Sequence, residues 1–128
     1  MVNPIKKILL KHPKNAFINQ NIINKQYLGL NYSTAPNFIK SINDYNKFTS
    51  LLKSFNIELH FLPKDDYTSL DSIYTHDPCV ITNKGVILCN MGKNPRMQET
   101  DNIEDYFKSI NIPILGKIKD PGTLEGGD

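Results

Sequence analysis

The chain has 128 residues, 39% hydrophobic and 22% charged, with a formal net charge of +2. That length suits one domain with a real core, and the composition is globular rather than disordered. Scattered lysines argue against a dedicated nucleic-acid surface, and no stretch approaches the ~20 apolar residues that span a bilayer.

Taken in chain order, the N-terminus from Met1 to Lys11 lacks the apolar run and small-residue cleavage site of a signal peptide. With two cysteines and no wider thiol pattern, a soluble, cytoplasmic protein is expected. Ile5 to Lys11, rich in Ile and Leu and bounded by Pro4 and Pro13, reads as a first strand. Lys14 to Ala35 has no clean period and reads as a long loop around Leu28-Gly29-Leu30, either a lid or a variable surface. Pro36 to Phe55 reads as a helix, because Phe38, Ile42, Tyr45, Phe48 or Thr49, Leu52 and Phe55 recur at helical spacing. Thr34 is its expected N-cap, and Asn56 the left-handed residue that ends it. Ile57 to Leu62 alternates like a half-buried strand and stops at Pro63. His60 and His12 are expected to be exposed or loosely hydrogen-bonded rather than ligands.

Beyond a polar loop, Cys79–Thr82 and Val86–Cys89 read as a hairpin across Asn83-Lys84-Gly85, a three-residue turn with Gly85 left-handed. Both strands are apolar on both faces, which predicts cover on both sides. Glu99 to Ile110 is a second amphipathic helix with Ile103, Tyr106 or Phe107, and Ile110 on its face and Thr100 or Asp101 as cap. Ile112 to Ile118 returns as a strand. The order predicts a mixed α/β layout in a single domain.

The polar residues that stand out lie between Asp71 and Arg96 and in Glu125-Gly-Gly-Asp128. Asp71 and Asp77 fall on one face if the segment is extended, but about 20 Å apart, so one small ligand meets both only if the loop bends. They are either solvated loop acids or a wall for a planar cation such as guanidinium, which takes a carboxylate in a two-point fork. Arg96 either clamps a carboxylate or forms a surface pair with Glu99 at helical distance. The glycines of Glu125-Gly-Gly-Asp128 permit a tight turn or a close approach, without the Lys-Ser/Thr of a phosphate loop. Cys79 and Cys89, equidistant from the turn, read as small buried hydrophobes that face each other. No metal-ligand spacing is present.

Three blocks together resemble the guanidino-modifying superfamily: Asp71-Ser-Ile-Tyr-Thr-His-Asp77-Pro, Met91-Gly-Lys-Asn-Pro-Arg96 with Glu99, and Pro121-Gly-Thr-Leu-Glu-Gly-Gly-Asp128. Their order and spacing look closest to the dimethylarginine dimethylaminohydrolases, with arginine deiminases and amidinotransferases as the other branches. The resemblance implies an α/β fold of the pentein type, a five-bladed propeller, of which residues 1–128 form roughly the first half. It implies a hydrolase acting on the guanidino group of arginine or a methylarginine through a cysteine-bound thiouronium, without a cofactor. By the same resemblance Asp77 grips the guanidinium, Arg96 meets the substrate carboxylate, Asp71 approaches the α-amino end, and Glu125 orients a catalytic histidine. Leu28 would belong to a lid, and Asp128 to the substrate wall. His76 stands where familiar members carry an acid or an arginine. The family's histidine and nucleophilic cysteine follow the Glu-Gly-Gly-Asp block, so the expectation is a chain truncated after Asp128 and inactive alone. The rival readings are an amidinotransferase and a non-catalytic pentein used for binding. Expected partners are a small guanidino molecule and, through an open sheet edge, a second copy as a homodimer; nucleic acid and membrane are not expected.

Overall fold

The computed structural model describes residues 3–128; Met1 and Val2, the start of the N-terminus compared above with a signal peptide, lie outside the described residues. Contacts divide the chain into two compact units, residues 1–65 and 66–128.

In the first unit, β1 (Lys7–Leu10) pairs in parallel with β2 (Glu58–Phe61), Lys7 opposite Glu58 and Leu10 opposite Phe61. Parallel neighbours need a long crossover, and this one carries three helices. Two of them correct the reading of Lys14–Ala35 as loop: α1 (Pro13–Ala16) and α2 (Gln20–Gln26). Each is locally capped. His12 Nδ1 accepts from the Lys14 amide at 3.1 Å, and the Asn19 side chain accepts from the Ile22 amide at 2.9 Å. Four and seven residues are too few to display a helical period, although Ile23 of α2 is fully buried.

The third helix, α3 (Phe38–Ser54), is capped by Asn37, whose side chain accepts from the Lys40 amide at 2.8 Å, rather than by Thr34. Asn56 closes it at φ 58° as expected. Thr49 is the buried residue of its inner face, which settles the choice between Phe48 and Thr49 in favour of Thr49, while Phe55, expected inside, is exposed. Both histidines are hydrogen-bonded, His60 to Glu58 at 2.6 Å and His12 to Asn46 at 2.9 Å. A buried pair, Lys11 Nζ to Asp65 at 2.6 Å, ties the end of β1 to the end of the unit.

The second unit opens with a 3₁₀ turn, Leu70–Ile73. Its sheet has the order β3 (Cys79–Thr82), β4 (Gly85–Leu88), β5 (Ile114–Lys117), with β3 antiparallel and β5 parallel to β4. Thr82 pairs with Gly85, so the hairpin connection is Asn83-Lys84, two residues rather than three. Gly85 is required for another reason: at φ 147° a Cβ there would lie 2.4 Å from the Pro113 carbonyl oxygen. Cys79 sits opposite Leu88, one residue short of Cys89, and both thiols are free and buried. Cover is uneven. Val86 and Leu88 of β4 are buried, whereas Ile81 of the edge strand β3 is exposed.

A second 3₁₀ turn, Asn94–Arg96, leads into α4 (Met97–Ser109), so Thr100 and Asp101 lie inside the helix and do not cap it. Ile103 and Phe107 face the core, while Ile110 is exposed. Thr100 Oγ1 donates to the Cys89 carbonyl at 2.9 Å, fixing the first turn of α4 on the end of β4. A bridge between Asn90 and Leu124, supported by Asn90 donating to Asp120 and Gly122 at 2.9 and 2.8 Å, brings in the last residues. Among the described residues no helix is long and apolar enough to cross a membrane.

Candidate active site

The charged groups singled out from the sequence lie in the second unit, where Asp71, Asp77, Arg96, Glu99 and Glu125 meet; Leu28 lies in the first. The bend that Asp71 and Asp77 needed is present. The 3₁₀ turn holds Asp71, and the Asp77 amide donates to the Tyr74 carbonyl at 3.2 Å, so residues 71–77 curl instead of extending.

Arg96 is the centre of the cluster. Its Nε and Nη2 donate to the two oxygens of Glu99 at 2.8 and 2.9 Å, a two-point fork, and Nη1 donates to Asp77 Oδ2 at 2.9 Å. Nη2 also reaches the Asp71 carbonyl at 3.3 Å, with the Asp71 carboxylate 4.0 Å from Nε and Glu125 Oε2 3.8 Å from Nη1. The Tyr74 ring centroid lies 5.8 Å from the guanidinium carbon. The pair with Glu99 is therefore real, but it is not a surface pair: Arg96 is 4% exposed and Glu99 3%. Burial alone pulls the Arg96 pKa down, yet Glu99 and then Asp77 outweigh it and hold the guanidinium charged. The group that the resemblance directs to a substrate carboxylate is, in this structure, turned onto Glu99 and Asp77.

The C-terminal block reaches the same place by close approach, the second of the two options its glycines left open. The Gly126 amide donates to the Asp77 carbonyl at 2.7 Å, and a Cβ on Gly126 would meet the carbonyl oxygens of His76 and Cys79 at 2.3 and 2.4 Å. A Cβ on Gly127 would lie 2.8 Å from Asp77 Oδ1. Only glycine lets this strand of backbone press against residues 76–79. Glu125 is thereby set beside the cluster, half-buried, and its amide lies 3.4 Å from Asp128 Oδ2. Asp128 itself is exposed, and Leu28, in the first unit, is 69% exposed in the turn after α2.

His76 Nε2 lies 3.0 Å from Asp77 Oδ1, since the strand begins only at Cys79 and the two side chains are not forced to opposite faces. Glu99, Tyr74 and His76 complete the cluster. Of these, only Glu99 carried a usable signal, its three-residue spacing from Arg96. Neither cysteine is primed for attack. Burial pushes the Cys79 thiol up to about 12, with Cys89 adding to it, and burial followed by Asp77 raises Cys89 as well. Among the described residues no group of His, Cys, Asp and Glu is arranged to hold a metal. Four carboxylates thus surround one guanidinium, an excess of negative charge suited to a cation.

The chain is similar to known proteins over most of its length. N(G),N(G)-dimethylarginine dimethylaminohydrolase of Pseudomonas aeruginosa is 28% identical over 93 residues, 73% of this chain and 36% of that protein. The crystal structure of the enzyme from Pseudomonas aeruginosa, a cysteine-to-serine mutant complexed with citrulline, superposes with a TM-score of 0.77 at 24% identity, covering 98% of this chain and 46% of the other. The N-terminal domain of ArgZ, a cyanobacterial arginine dihydrolase bound to its product, gives a TM-score of 0.74 at 12% identity, over 96% and 43%. The chain spans less than half the length of these relatives. The family match, with the shared fold, places it among the guanidino-modifying pentein proteins. It belongs to the family described as N,N dimethylarginine dimethylhydrolase, eukaryotic, whose model matches residues 12–126.

Proposed function

We propose that the chain is the N-terminal part of a guanidino hydrolase, forming the first blades of a five-bladed pentein and acting on arginine or a methylated arginine. The observation that carries this is the convergence of buried Asp71 and Asp77 and half-buried Glu125 about Arg96, an acid-rich wall on a family-matched scaffold. Asp77 takes the substrate guanidinium in a charge-assisted pair, Asp71 the α-amino end, and Glu125 the histidine that moves protons. Arg96 meets the substrate carboxylate only by giving up a bond to Asp77 or Glu99; in the resting protein it steadies both. The attacking thiolate comes from sequence other than these residues, because Cys79 and Cys89 are buried thiols with raised pKa values. In the reaction, that thiolate adds to the guanidinium carbon, an amine leaves with a proton, and water then releases citrulline. The citrulline bound to the Pseudomonas aeruginosa relative, and the description of ArgZ as an arginine dihydrolase, support this choice of substrate class.

The test is a titration of the chain with dimethyl-L-arginine, L-arginine and L-lysine, followed by amide NMR shifts of residues 71–77 and 125–128. Guanidino ligands should shift these signals, and Asp77→Asn should abolish the effect. An Asp77→Asn chain that binds them unchanged refutes the site. Citrulline formed by the 128-residue chain and lost in Cys79→Ser or Cys89→Ser refutes the placement of the nucleophile.

A further inference from the structure

Resting on the reading of Asp77 as a cation site, we infer that His76 is a titratable place-holder on that carboxylate and sets its affinity by pH. The two oxygens of Asp77 have unlike partners. Oδ2 is held by Arg96, which is buried and permanently charged. Oδ1 faces His76 Nε2 at 3.0 Å, and the His76 side chain is 66% exposed. An incoming planar cation needs an accessible carboxylate edge; Oδ1 is the oxygen not paired with the buried guanidinium, and the exposed His76 ring covers it beside the Gly127 backbone.

The imidazole is held there by its surroundings. Its ring meets Tyr74 edge-on at 6.3 Å, and the Gly127 backbone packs so closely that an added Cβ would fall 3.1 Å from His76 Cδ2. The titratable groups against the ring are thus Asp77 and Tyr74, and behind Asp77 stand Arg96 and Glu125. Histidine changes charge between about pH 5 and 8. As imidazolium it forms an ion pair with Oδ1 and repels a second cation. As neutral imidazole it is a weaker, displaceable partner. A cation that takes Oδ1 from the charged form removes the ring's ion-pair partner and sets a positive charge beside it, which disfavours the imidazolium, so affinity falls as pH falls. A carboxylate at this position would act in the opposite sense, adding attraction for the cation.

The experiment titrates methylguanidinium and L-arginine into the full 128-residue chain at about pH 5.5 and about pH 8, reading His76 and Asp77 signals by NMR. Binding should be about fivefold or more weaker at the acidic end. His76→Gln retains a hydrogen-bond donor that does not titrate, and should bind nearly equally at both pH values. His76→Ala, with Oδ1 uncovered, should bind more tightly than the native chain at acidic pH. A native chain whose affinity is flat with pH, or a His76→Gln chain that keeps the slope, overturns the inference. An Asp77→Asn chain that binds as the native one does overturns the cation site itself, which separates that failure from a failure of His76 alone.

Discussion

At the scale of single residues, Arg96 decides how much of this site survives mutation. Its guanidinium is shared by Glu99 and Asp77 in a buried cluster, so removing it strands two carboxylates. Arg96→Met should cost about 3–5 kcal/mol in urea denaturation, while the double change Arg96→Met with Glu99→Leu should recover part of that loss. Cys79, with its thiol pushed up to about 12 by burial and then by Cys89, should resist Ellman's reagent in the native chain at mild alkaline pH and react once urea unfolds it. The membership of this cluster was partly legible from sequence. Arg96 and Glu99 are three residues apart, a spacing that names the pair but not its burial. The 3₁₀ turn that folds Asp71 toward Asp77 left no trace, because four residues, with Leu70 and Ile73 as a single i, i+3 pair, are too few to display a helical period.

At the scale of elements, short segments and close approaches carried what periodicity missed. α1 and α2 depend on single capping side chains, His12 and Asn19, and neither helix is long enough for an apolar stripe. α3 was legible as a helix and so was most of its face: Thr49 is the member of the Phe48-or-Thr49 alternative that lies inward, with Phe38, Ile42, Tyr45 and Leu52 partly covered beside it, and only Phe55 at the C-terminal end is exposed against expectation. The glycines make the same point. Gly126→Ala would drive a methyl group into two backbone carbonyls that cannot swing aside. We expect a loss of about 1–3 kcal/mol, together with faster hydrogen exchange at the residue 126 amide that now donates to Asp77. Native-like stability and protection in that variant would show that the C-terminal block is not seated as described.

For the whole molecule, the division at residue 65 matters to function. Each unit has a parallel strand pair joined across a helix, β1 to β2 over α3 and β4 to β5 over α4, a kinship of form that no sequence repeat announced. The four carboxylates about Arg96, those of Asp71, Asp77, Glu99 and Glu125, lie in the second unit. Residues 66–128 expressed alone should therefore retain a slowly exchanging Arg96 Nε–H signal in NMR spectra, despite the small core of a piece this size. Loss of that signal in a folded 66–128 piece would show that the first unit is needed to hold the cluster.

The unequal holders of the Asp77 oxygens also have a calorimetric consequence. If a cation displaces His76 from Oδ1 while Arg96 stays on Oδ2, one hydrogen bond to the carboxylate is exchanged for another. The intrinsic heat should then be small, and where binding shifts His76 toward its neutral form protons should pass to the buffer. The heat observed there will follow the ionisation enthalpy of whichever buffer is chosen, and that dependence will vanish once His76 is neutral before the ligand arrives.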